Sequence, residues 1–154
     1  MDRCDSARLD ARRLMTPDSF SDLALFLVCL GILHRCWWVQ TDRAAIGLAG
    51  LLIGFAAALG VLRFSTWTEI GDLVKGVHQF ASVLAAVAGF PMLALGIVRP
   101  DSTVARYRAG AWWCAFVIGG FGVAVWVLGF KPWAQLVPAV SALAMLAALR
   151  KPEV

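Results

Sequence analysis

The sequence predicts an all-α polytopic membrane protein, a bundle of about five transmembrane helices joined by short loops, and three observations carry that prediction. Of 154 residues, 60% are hydrophobic and 16% charged, where soluble domains carry about a quarter charged residues. The mean hydropathy of +0.76 agrees. Apolar runs long enough to cross about 30 Å of hydrocarbon at about 1.5 Å per residue recur along the chain. Tryptophans mark their ends: Trp37, Trp38, Trp112 and Trp113 at one side, Trp67 and Trp133 at the other.

Residues 1–18 read as a polar tail with four arginines against four aspartates, residues 19–150 as one transmembrane domain, and residues 151–154 as a C-terminal tail. "TPDSFSD" begins a helix, with Thr16 as N-cap and Pro17 at the first helical position. Spans are predicted over 20–39, 44–62, 73–98, 111–130 and 133–149. "QTDR" makes the first hairpin, Thr66 and Glu69 stand at capping-box spacing before the third span, and "GFKPW" separates the last two. Pro91 lacks the N–H that the Val87 carbonyl needs, so a kink is expected inside the third span.

The formal charge of +4 does not indicate nucleic acid, because the basic residues are scattered singly at span ends. Lysine and arginine divide seven to seven between the two sides. The first helix, which usually dominates orientation, has Arg8, Arg12 and Arg13 before it and Arg35 and Arg43 after it, placing the N-terminus in the cytoplasm of a plasma or inner membrane. Cys4, Cys29, Cys36 and Cys114 form neither a CxxC pair nor a zinc spacing. No small-residue cleavage site follows the first apolar run, so that run is read as retained.

Angular position sorts the helix faces. Gly47, Gly50, Gly54, Ala57 and Ala58 share one face of the second span, with Leu48, Leu52, Phe55 and Leu59 opposite and expected to face lipid. Gly119 and Gly122 repeat the small-residue face on the fourth. Such faces pack helices, within a bundle or between protomers. Arg63 falls opposite the glycines and is expected to snorkel to the interface.

Polar residues are few. Asp22, Cys29 and Cys36 line one face of the first span and His34 points away from it, so no Cys–His ligand set forms there. His34 and His78 differ in depth by roughly 18 Å, too far to share a metal or haem. Asp22, His78, Gln79 and Gln135 all fall at the N-terminal side and form a candidate intramembrane polar pocket; the competing reading is a solvated ring of polar helix ends. Ser82 follows His78 by one turn without a positioning acid, which argues against serine-hydrolase chemistry.

An acid near the start of span one, a glycine-rich second span and a histidine opening the third resemble the outline of the alkaline-ceramidase-like membrane hydrolases. That resemblance implies several histidines converging on zinc with a serine and an aspartate. This chain departs from the pattern, and no residue of that site is carried over. The sequence therefore favours a small accessory or structural subunit, not an enzyme, which packs through its Gly/Ala faces with itself or with other membrane subunits. Membrane lipids are the expected partners and bound lipid the only expected ligand, with no cofactor. The alternative is a lipid-active enzyme or small-solute transporter that uses the pocket around His78.

Overall fold

The structure, a computed structural model, describes residues 17–64 and 71–150. Among them the regular elements are all helical. Helix α1 (Pro17–His34) continues through a π-helical turn at Arg35–Val39. Helix α2 (Ala44–Phe64) follows a short loop. Helix α3 (Gly71–Leu84) passes through a second π-helical turn, Ala85–Gly89, into α4 (Phe90–Val98). Then come one turn, α5 (Thr103–Arg106), and two helices, α6 (Arg108–Val127) and α7 (Trp133–Leu149). The proposed Thr16 cap, the Thr66–Glu69 capping box and Trp67 lie outside the described residues.

Four helical stretches are long and apolar enough to cross a membrane: Pro17–Val39, Ala44–Phe64, Asp72–Val98 and Arg108–Val127. The fifth expected span, α7, has 17 residues, a length of about 25 Å against a hydrocarbon core of about 30 Å. Helix α1 starts at Pro17, the first helical position read from the sequence, since Pro17 is already fixed at a helical φ and lacks an N–H that would go unpaired.

Helix α6 stops earlier than residue 130. Gly129 takes a φ of 97°, the Phe130 N–H reaches Val125 O at 3.2 Å and the Gly129 N–H reaches Trp126 O at 3.1 Å. These are the paired bonds of a Schellman ending. Just before Pro91 the helix runs through the π-helical turn without interruption, the Phe90 N–H reaching back to Ala85 O.

Helix α2 is the centre of the packing. Helix α1 lies along one side of it, while α3, the second π turn, α4, α5 and α6 approach from the other; α7 packs chiefly on α4. Leu48, expected toward lipid, is therefore fully buried with Ala44, Ala45, Ala49, Met92 and Ala111. The reason is that α2 has neighbours on both faces. Gly47 lies under the Trp37 ring, Gly50 under the Cys29 carbonyl and Ile32, and Gly54 against Cys29. Ala58, grouped with them by angle, is only half-buried. Gly119 meets Leu84 and Ala88, and Gly122 meets Val87. The small-residue faces of α2 and α6 are thus used inside this chain.

A Cβ added at Gly122 would lie 2.6 Å from Val87 Cβ, a branched side chain with little freedom to turn aside. Gly122→Ala should cost about 1–3 kcal/mol through overpacking. Gly120→Ala, two residues away with no atom near its added carbon, should be neutral or gain up to about 1 kcal/mol from helix propensity. Unfolding midpoints in detergent, followed by circular dichroism, would compare them. Equal midpoints would show that the Gly122–Val87 contact is not made.

Candidate functional site

Both α1 and α3 lean on α2, and a groove of about 410 Å3 remains between them. Leu25, Cys29 and Ile32 form one wall, Ile53 and Ala57 the floor, and Ala85, Ala86, Phe90 and Leu93 the other wall. Helices α1 and α3 run in the same direction, so Asp22, His78 and Ser82 gather at one end and Ile32 and Leu93 at the other. From residue 22 to residue 32 the α1 wall rises about 15 Å, close to the hydrocarbon depth of one leaflet. One end is polar; the rest is hydrocarbon and small residues.

Asp22 is not a helix-capping acid. The acid in the first turn of α1 is Asp18, and macrodipole stabilisation fades beyond that turn. The Asp22 carboxylate instead rests on Gly60 of α2, where any side chain would collide with it. Among the described residues it makes no hydrogen bond or ion pair; the ion pair present is Lys75–Asp72, at 3.3 Å on the exposed face of α3.

His78 is half-buried, with its ring edge-on to Phe64 at 6.2 Å between centroids. Its Nδ1 is buried and has no hydrogen-bond partner among the described residues. That nitrogen is therefore available to a hydrogen-bonding ligand group.

The groove brings together two of the four residues grouped by the sequence. Gln79 points off the groove and is exposed, and Gln135 is exposed on α7, whose packing is with α4 and the second π turn. Sequence reading missed Ser82 and Cys29 as groove residues, and it missed Gly60. Gly60 stands about 120° around the helix from Gly54, outside the face that glycine spacing picks out. Its signal emerges only when α1 is laid across α2.

The chemistry on offer is hydrogen bonding. Asp22 can accept, or donate when protonated, and His78 and Ser82 supply two further polar groups. Among the described residues no three His, Cys, Asp or Glu side chains converge as a metal site. A second groove of about 300 Å3 between α3 and α6, bounded by Leu52, Phe80, Leu84, Trp112 and Phe116, has no comparable polar end. His34 lies far from both, stacked on Trp38 at 6.1 Å. No family model, curated protein or solved structure matches this chain.

The Asp22–Gly60 contact predicts coupling. Gly60→Ala should destabilise the chain with Asp22 in place and become neutral or stabilising in an Asp22→Ala background. A double-mutant cycle on unfolding should return about 0.5–3 kcal/mol of interaction; strict additivity would mean that the two residues do not touch.

Proposed function

We propose that this chain is a polytopic integral membrane protein that holds a single amphiphilic lipid in the groove between α1 and α3–α4. The polar headgroup sits at Asp22, His78 and Ser82, and the acyl chain lies along Cys29, Ala86 and Leu93. It is a lipid-holding accessory module and not a catalyst. The observation that carries this reading is the groove itself: leaflet-length, apolar along its course, and ended by a carboxylate and an imidazole nitrogen that are both without a partner among the described residues. Ionisable groups within apolar helices are costly and usually have a role.

The subunit reading keeps its place in a narrower form. Since the glycine faces of α2 and α6 are filled by α1 and α3–α4, a second copy or another subunit would meet the outer face of α1, where Phe20, Leu27 and Leu30 are exposed.

Purification of the full chain in mild detergent, with native mass measurement and lipid extraction, tests both. A lipid retained one to one is expected. Ala86→Phe, which fills the groove, should lose it, while Ala124→Phe on the exposed side of α6 should retain it. His78→Ala should weaken retention by roughly fivefold, the worth of one hydrogen bond of about 1 kcal/mol. Equal retention by the Ala86→Phe and unaltered chains would overturn the groove assignment.

A further inference from the structure

Charge is distributed unequally between the ends of the bundle. At the end where α1, α4 and α7 finish and α2 and α6 begin stand Arg35, Arg43, Arg99, Arg106, Arg108 and Arg150, against Asp42 and Asp101. At the other, Arg63, Lys75 and Lys131 are balanced by Asp18, Asp22 and Asp72. All six arginines are exposed, and none forms an ion pair among the described residues.

Arg35, Arg99 and Arg150 are accounted for locally, because each lies at a helix C-terminus, where the backbone dipoles favour a cation. Arg43 and Arg108 have no account of that kind. They stand where α2 and α6 start, the end at which the same dipoles oppose a cation, and neither helix has an acid in its first turn. Arg106 lies between them in the chain's path, at the end of α5.

Ala44, Ala105 and Ala111, close in sequence to Arg43, Arg106 and Arg108, share a single buried cluster, so these three arginines leave the backbone from one region of this end. Arg108 ties this region to α1: its guanidinium carbon lies 4.6 Å from the Trp37 ring centroid, and its Nη2 donates to Trp37 O at 2.6 Å. One turn further along α6, Trp112, Trp113 and Phe116 form an exposed aromatic surface. Exposed guanidinium groups in excess over Asp42 and Asp101, above exposed aromatics, match the order of groups along a phospholipid.

We propose that this end of the bundle is a surface for anionic phospholipid, with phosphate headgroups on Arg43, Arg106 and Arg108 and an acyl chain passing over Trp112 and Phe116. Planar guanidinium forks suit phosphate oxygens, and each basic residue near an anionic bilayer surface contributes about a fivefold gain. The inference rests on the membrane reading of the chain and is independent of the groove, which lies toward the opposite end.

Four of the seven tryptophans, Trp37, Trp38, Trp112 and Trp113, lie at this end and report on it. The full chain would be reconstituted in vesicles with brominated phosphatidylglycerol or brominated phosphatidylcholine at equal mole fraction, and quenching of tryptophan fluorescence measured. Stronger quenching by the anionic lipid is expected, and it should shrink in about 1 M salt, where the screening length falls to about 3 Å.

Arg43→Gln with Arg106→Gln spares the Arg108–Trp37 contact and should lower the preference by up to roughly twentyfold. Arg63→Gln with Lys131→Gln, at the other end, should leave it intact, as should Ala86→Phe, which separates this surface from the groove. Equal quenching by the two lipids in the unaltered chain, or an equal loss in the Arg63/Lys131 pair, would overturn the proposal.

Discussion

Along α2, neighbouring backbones come close on almost every side, and that closeness depends on side chains of one carbon or none. Between helices in hydrocarbon, burial of apolar surface gives little net gain, and association depends on how many atoms reach van der Waals contact. Gly50 and Gly54 let α1 lie against α2 with the Cys29 backbone and side chain in contact. On the opposite side, Ala44, Ala45 and Ala49 let α4–α6 approach around Leu48 and Met92. Enlarging either face would push a whole helix outward. The groove has the same origin: α1 and α3 both lean on one narrow helix, and that helix is the floor of the gap they leave.

What could be read from the sequence follows from this geometry. Hydropathy and length reveal helices one at a time, so the all-helical character and the four long apolar stretches were legible, as was a local irregularity near Pro91, whose missing N–H acts within one helix. Neighbours are a property of the assembly. Leu48 has the composition and angular position of a lipid-facing residue, and its burial comes from α4 and α5 arriving on that side. The bounds of α7, 133–149, were legible, while the early end of α6 was hidden because apolar composition runs on through Leu128 and Phe130 and the Schellman bonds end the helix before them.

The candidate site was legible by the same measure. Asp22 and His78 could be brought together from topology and depth alone, because both lie a few residues into helices that run the same way. Gln79 and Gln135 share that depth and not that direction. One residue around the helix from His78 is enough to turn Gln79 outward, and α7 approaches the bundle through α4, leaving Gln135 at a free end. Depth is encoded in sequence position; azimuth relative to a neighbour needs the neighbour.

The two ends of the bundle divide holding from opening. At one end the largest buried cluster, the α5 turn and the Arg108 bond to the Trp37 carbonyl fix the last turn of α1. Toward the other, among the described residues, α1 packs chiefly on α2 and α3 turns Leu73, Val77 and Phe80 outward. Segments with few packed neighbours open at the lowest free energy. The Asp22 end of α1 is therefore the end expected to open first, with the π-helical turn at Arg35–Val39 held, and the polar groups of the groove lie at that less packed end.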